Sequence, residues 1–273
     1  LLSKLDYLSS TPTLFNAGTT FPQLSSCYGP FVPDDLEGIF DLGFKESAML
    51  SKFAGGIGSS FSSLRGSLSP ISSTNGLSSG PIPFLKIYND VAVAVDQGGR
   101  RKGAFAPYME VWHTDIEDFI DLKKKTGDER RRTHDIFPAI WACDLFFDRV
   151  RANEDFSLFC PNDVPELLGL YGEEFEDAYR AAEKSGKARK TIPALDLWKK
   201  WLDALFRTGN PWVTFKDESN RRNPQDHMGM IHNSNLCTEI ILNNGPDETF
   251  VCNLGSVNLS KHMTPEGEID TPK

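Results

Sequence analysis

Cys237 lies in Asn235-Leu236-Cys237-Thr238-Glu239, a thiol flanked by an amide and a carboxylate. Cys252 follows in Val251-Cys252-Asn253-Leu254-Gly255, and Cys27 lies far upstream in Gln23-Leu24-Ser25-Ser26-Cys27. One thiol can lose a hydrogen atom or ionise, and a pair can deliver two electrons by becoming a disulfide. The set suits a redox or radical centre. It does not suit a metal, which wants cysteines roughly two to four residues apart. His113, His134, His227, His232 and His262 show no ligand spacing either. Cys143, beside Trp141 and Leu145, and Cys160, after Phe159, read as packing positions, because a free cysteine behaves as a small apolar group.

These words occur with others in a fixed order. Thr11-Pro12-Thr13-Leu14, Ser25-Ser26-Cys27, Gly55-Gly56-Ile57-Gly58, Gln97-Gly98-Gly99-Arg100-Arg101-Lys102-Gly103, the Cys237 word and Cys252-Asn253-Leu254-Gly255 run along nearly the whole chain. Together they resemble the large, catalytic subunit of ribonucleotide reductase, most closely its aerobic class I form. The adenosylcobalamin-dependent class II shares much of the pattern. The anaerobic glycyl-radical class fits worse, having no need of the Cys27/Cys252 pair.

The resemblance implies roles. Cys237 matches the transient thiyl that takes the 3′ hydrogen of the substrate ribose, Glu239 the carboxylate that handles the 3′-hydroxyl proton, and Asn235 the amide that holds the ribose hydroxyls. Cys27 and Cys252 match the dithiol that reduces the 2′ position, so the fold must bring their Cα atoms to within about 6 Å. Thr11, Ser26, Gly55 and Gly56 match substrate-binding positions. Asp34, Arg65, Gln97 and Arg101 match the site for a deoxynucleoside triphosphate or ATP effector and the loop that reports on it. Ser72 stands where many relatives carry a second basic phosphate ligand. Helix capping is the competing role for Asp34, and a turn for Thr11.

The resemblance further implies no directly bound cofactor, and a separate small subunit, containing a metal, as the radical source. Adenosylcobalamin is the class II alternative, and a non-catalytic half-barrel that binds only dNTP is another. Thioredoxin or glutaredoxin is the expected reductant, and a homodimer the expected assembly. The implied fold is α/β: half of a ten-stranded α/β barrel with a central finger loop. On that basis 1–273 carries the first half-barrel, the finger at about 219–245 and the first strand of the second half at about 250–259. The rest of the domain would lie on another polypeptide or a longer chain, and 1–273 alone is expected to be inactive.

The composition permits this reading. Of 273 residues, 39% are hydrophobic and 25% charged, as in a globular protein. The net charge of −9 argues against a nucleic-acid partner. No apolar run approaches the roughly 20 residues of a membrane span, and the first residues lack the basic-then-apolar pattern expected of a signal peptide. A cytoplasmic, reducing compartment is expected, where any disulfide is transient.

The elements that must position the thiols follow from periodicity. Strands are predicted within Phe21 to Val32, at Ile57 to Leu64, Ala104 to Trp112, Ile136 to Trp141, Phe156 to Phe159, Trp212 to Phe215 and Phe250 to Leu259. Helices are predicted from Leu36 to Gly55, with Asp34 or Asp35 as N-cap, and over 84–95, 115–125, 144–150, 173–187 and 195–205, the last stopped by Gly209. Ser67 to Gly80 reads as a loop. Arg130 to Arg132 reads as a solvated run with mixed ion pairs. Strands alternating with helices imply mostly parallel pairing. Alternate residues of an extended segment share a face, so 235, 237 and 239 are expected to point one way if that loop is strand-like.

Overall fold

A computed structural model describes residues 2–97, 99 and 102–270. Arg101 lies outside the described residues. The strands are β1 (Tyr7–Ser9), β2 (Cys27–Gly29), β3 (Gly56–Ser60), β4 (Ser67–Ile71), β5 (Gly76–Ser79), β6 (Phe105–Glu110), β7 (Ala139–Ala142), β8 (Asp155–Leu158), β9 (Lys190–Pro193), β10 (Trp212–Phe215), β11 (Phe250–Cys252) and β12 (Gly255–Val257). The α-helices are α1 (Thr11–Asn16), α2 (Leu36–Gly38), α3 (Ser47–Lys52), α4 (Ile82–Ala94), α5 (Ile116–Ile120), α6 (Asp144–Ala152), α7 (Gly172–Lys184), α8 (Ala194–Thr208) and α9 (Lys216–Arg221).

Among the described residues, six strands form the central sheet in the order β10-β7-β6-β3-β2-β11. The first five run parallel, and β11 pairs antiparallel with β2. The sheet is open, with β10 and β11 as its edges. The chain is thus α/β with mostly parallel pairing, as its alternation of elements predicts.

Side chains alternate across a strand, and this gives the sheet two faces. Phe105 and Met109 of β6, with Ile140 and Ala142 of β7, enter the large core beneath the helices. Ala106, Tyr108, Ala139 and Trp141 face the other way and pack with Ile231, Trp212 and Leu236. The helices cover one face; the segment after α9 covers the other. The amphipathic period of α8 buries Leu197, Trp201 and Ala204. Gly209 ends it in the left-handed conformation, its N–H donating to Leu205 at 2.8 Å, the helix stop expected of glycine.

Several expectations require correction. Ser67 to Gly80 is an antiparallel hairpin, β4–β5; hydroxyl-rich strands outside the main core carry no apolar alternation to announce them. Phe250 to Leu259 is two short strands, β11 in the central sheet and β12 against β1. The helix from Leu36 contains a π-helical stretch, Ile39–Glu46, between α2 and α3. Asp35, not Asp34, caps that helix, accepting from Gly38 N–H at 2.7 Å. The left-handed residue after α3 is Ala54, φ 72°; Gly55 leads directly into β3, which Gly56 opens.

At the other sheet edge, Phe250 sits opposite Gly29. A methyl at Gly29 would fall 2.0 Å from the Phe250 ring, so the ring occupies the space a side chain would take.

Candidate active site

Cys27 opens β2, and its register partner on β11 is Cys252. The Ser26 N–H donates to the Cys252 carbonyl at 2.8 Å, and the Ser26 carbonyl accepts from Gly56 N–H at 2.7 Å. Directly opposite residues of an antiparallel pair have their side chains on one face, so two thiols remote in sequence are neighbours. Neither is in a disulfide.

Cys237 reaches the same place by a turn. Thr238 has φ 67°, the left-handed region, so 235–239 is not strand-like and the shared-face expectation fails. Cys237 and Glu239 are exposed while Asn235 is fully buried. Asn235 points inward: its Nδ2 donates to Cys27 Sγ at 3.2 Å and its Oδ1 accepts from Ile240 N–H at 3.2 Å. Its carbonyl accepts from the Tyr108 hydroxyl at 2.5 Å. One residue therefore closes the turn, bonds one thiol and anchors the loop to the sheet. The loop seats on β3 at Gly58, where a Cβ would lie 2.3 Å from the Ser234 carbonyl oxygen.

A cleft of about 480 Å³ opens here, lined by Thr11, Ser26, Cys27, Gly56, Gln97 and Cys237 among others. Thr11 enters it as the first residue of α1, which replaces the turn expected at Thr11-Pro12. Gly55 does not line the cleft, but its carbonyl accepts from Gln97 Nε2 at 3.3 Å. Gln97 thus stands with the cysteines and not with Asp34 and Arg65. Ser26 Oγ and Gln97 Oε1 are buried with no hydrogen-bond partner among the described residues. Unsatisfied buried polar atoms are costly in a folded protein, and both belong to this cleft.

The thiols are held in their protonated form. Burial, aided by the charges of Glu239, Cys252 and Cys237, pushes Cys27 up to about 11 against the Asn235 bond. Burial and then Glu239 raise Cys237 and Cys252. A thiol activated as a nucleophile needs the opposite, an electropositive setting that favours thiolate. This site keeps hydrogen on sulfur, which suits transfer of hydrogen atoms. Among the described residues no group of three or more His, Cys, Asp or Glu could hold a metal. Cys143 and Cys160 are buried in packing positions; Cys160 Sγ also accepts from Gly66 N–H at 3.3 Å.

A second cleft, of about 420 Å³, is lined by Asp34, Leu36, Arg65, Ser72, Thr74 and Phe84 among others. It lies beyond the C-terminal ends of β2 and β3, whereas the thiol cleft lies at their N-terminal ends. Asp34 accepts from Arg65 N–H and Nε, each at 2.9 Å. The hairpin β4–β5 supplies its hydroxyl wall.

Sequence reasoning missed the buried pair Lys216–Glu110, 2.7 Å apart with side chains 0% and 2% exposed. Glu110 Oε2 also accepts from Trp112 Nε1 at 2.9 Å. Burial, opposed by Lys216, raises its carboxyl to about 7. The only sequence signal is a lysine directly after an apolar strand.

The class these features define is an open, mostly parallel α/β sheet with a thiol-bearing turn over two further thiols. The family described as "Ribonucleotide reductase, barrel domain" matches residues 25–273, and the chain belongs to that family. It is 54% identical over 98% of its length to the ribonucleoside-diphosphate reductase subunit alpha of Chlamydia muridarum, covering 26% of that relative. It is 53% identical over 92% of its length to the subunit alpha of Helicobacter pylori, covering 32%. It is 48% identical over 98% of its length to the ribonucleoside-diphosphate reductase large subunit of Arabidopsis thaliana, covering 33%. The chain spans a quarter to a third of these relatives. Among the described residues no helix is long and apolar enough to cross a membrane.

Proposed function

We propose that this chain forms the thiol-bearing part of a ribonucleoside-diphosphate reductase large subunit, which makes 2′-deoxyribonucleoside diphosphates. The observation that carries the reading is the meeting of Cys27 and the Cys237 turn at one cleft, with Cys252 directly opposite Cys27 on the neighbouring strand. A thiyl on Cys237 takes the 3′ hydrogen, and Glu239 receives the 3′-hydroxyl proton. The 2′-hydroxyl leaves as water, with a proton from one thiol of the pair. Cys27 and Cys252 lose two electrons and become a disulfide, the second thiol's hydrogen going to the 2′ carbon, while Glu239 returns its proton to the 3′ oxygen and Cys237 its hydrogen atom to the 3′ carbon. The net change is one hydroxyl replaced by hydrogen, one disulfide formed and one water released.

Asn235, bonded to Cys27, orients that thiol toward the sugar. Ser26 Oγ and Gln97 Oε1 are unsatisfied acceptors suited to nucleotide hydroxyls. The second cleft takes a deoxynucleoside triphosphate or ATP effector, with Asp34 toward the ribose and Arg65 toward phosphate; Ser72 supplies a hydroxyl there instead of a cation. The radical comes from a separate small subunit, a reading favoured over adenosylcobalamin because the relatives are named as alpha or large subunits. An external dithiol protein, thioredoxin or glutaredoxin, regenerates the pair, and the complete subunit is a homodimer in the cytoplasm.

The test is reconstitution. The chain is combined with a polypeptide supplying the remaining length of its relatives and with a small radical-generating subunit. Deoxynucleoside diphosphate is expected with Cys237 present and background only with Cys237→Ser. Turnover by the isolated chain, or full turnover by the serine variant, would refute the reading. Turnover that requires added adenosylcobalamin and no partner would select the class II alternative.

A further inference from the structure

Beyond α9 the segment to residue 245 has almost no regular secondary structure, yet Asn223, Ile231, Asn233 to Asn235, Ile240, Asn243 and Asn244 are buried. Buried backbone N–H and C=O groups must be paired, and here asparagine amides do the pairing. Asn220 Nδ2 donates to the Ile231 carbonyl at 3.1 Å and Asn220 Oδ1 accepts from Ile231 N–H at 2.9 Å. At the base of the finger, Asn223 Nδ2 donates to Asn243 Oδ1 at 2.7 Å. Nearer its tip, Asn244 Nδ2 donates to Asn233 Oδ1 at 2.7 Å and to the Gly29 carbonyl at 3.3 Å. Asn244 Oδ1 accepts from His232 N–H at 3.2 Å. Asn233 Nδ2 donates to the Gly58 carbonyl at 3.0 Å and to that of Ser234 at 2.7 Å.

Two strands of the sheet are thereby tied to the turn. Gly29 ends the strand that Cys27 begins, and Gly58 lies on the strand beside it. Asn233 and Asn244 are 0% and 3% exposed, and a side-chain amide offers donors and an acceptor from one planar group. The contact at Gly58 leaves no slack beneath the turn. We propose that the Asn233–Asn244 amide pair is the positioning element that fixes the Cys237 turn over Cys27. This deepens, and rests on, the reading of Cys237 as the reacting thiol.

Asn244→Asp keeps the shape and sets a carboxylate oxygen against the Gly29 and Asn233 oxygens. The intact chain is alkylated with iodoacetamide from pH 6 to 10 and each cysteine is followed by mass spectrometry. Among the described residues, the ionisable groups around Cys237 are Glu239, Cys27 and Tyr108, with Lys102 lining the same cleft. Lifting the turn into water relieves the burial that raises Cys237, and so lowers the midpoint of the Cys237 pH profile. Its rate at pH 8 is expected to rise about threefold, the factor that half a pKa unit gives. Asn223→Ala loosens only the base, and is expected to lower the melting temperature while leaving that profile in place. Should Asn244→Asp not fold, Asn244→Ala removes the same donors without adding charge.

An unchanged Cys237 profile in the folded Asn244 variant, or an equal shift in Asn223→Ala, would overturn the proposal. Oxidation of the wild-type chain tests the underlying reading separately. Absence of a Cys27–Cys252 disulfide there would sink that reading, while the alkylation comparison would still report on the turn.

Discussion

The two faces of the central sheet are covered by opposite means. On one, α4 to α8 bury large apolar side chains such as Phe146, Tyr179 and Trp201. On the other, the finger packs few apolar residues, Ile231 and Leu236 among them, and is held by amide hydrogen bonds. Apolar burial is strong and undirected. Hydrogen bonds contribute less net stability each, about 1 kcal/mol, but fix direction. The helical face supplies stability, and the finger supplies the placement of one sulfur atom.

Substitutions can break that division. Trp201→Ala is expected to have the largest effect on folding, about 5 kcal/mol at the upper end for such truncations. Its indole also donates to the Pro211 carbonyl at 2.8 Å, a bond lost with the ring. Urea unfolding checks this, and Cys237 reactivity in the folded variant should equal that of the parent.

Lys216→Ala comes next, at about 4 kcal/mol near neutral pH, because it leaves Glu110 buried without its cation. The carboxyl of Glu110 is raised above its ordinary value of 4.5 by burial, and more so without Lys216. The folded state then favours the protonated acid below 4.5 and loses that advantage as pH rises. The parent's carboxyl, raised to about 7, loses the same advantage up to that pH, so the deficit relative to the parent should be roughly constant below pH 7 and grow above it, as read from melting temperatures between pH 4.5 and 9. A deficit independent of pH would show that the pair acts through packing alone.

Gly58→Ala has the smallest expected effect on folding, about 1–3 kcal/mol of overpacking, because the methyl meets the Ser234 carbonyl oxygen. Its effect at the thiol should exceed its effect on stability, since the displaced part is the turn itself. Comparing Cys237 alkylation with the melting temperature of the same variant checks it. Loss of stability with no change in alkylation would contradict the separation of the two faces.

The same contrast explains what could be read from the chain. Leu195, Trp198, Leu202 and Leu205 announce α8 by their spacing, and its stop is written as Gly209. The apolar strands β6, β7 and β10 were equally legible. The hairpin β4–β5 was not, because it is rich in hydroxyls and glycine and its few apolar side chains, such as Leu68 and Leu77, are exposed instead of marking a buried face. In the finger, composition did signal polarity, but the partners of Asn233 and Asn244 lie on β2 and β3, far away in sequence. The residue types pointed to a redox set of three thiols and resemblance assigned their separate roles, but the inward turn of Asn235 depends on the positive φ of Thr238, which neighbouring residue types do not announce. Nothing in the types of Lys216 and Glu110 announces that they pair, since they lie 106 residues apart.

The notch at Gly29 has one more effect. Because the Phe250 ring can rest only where a side chain is missing, it indexes β11 along β2 as a key indexes a lock. The sulfurs of residues 27 and 252 are then aligned by an aromatic ring two positions away, not by the length of the connection that brings the chain back. Lengthening or shortening the tip at 246–249 should leave that alignment untouched, whereas filling the notch would let the two strands slip and part the sulfurs.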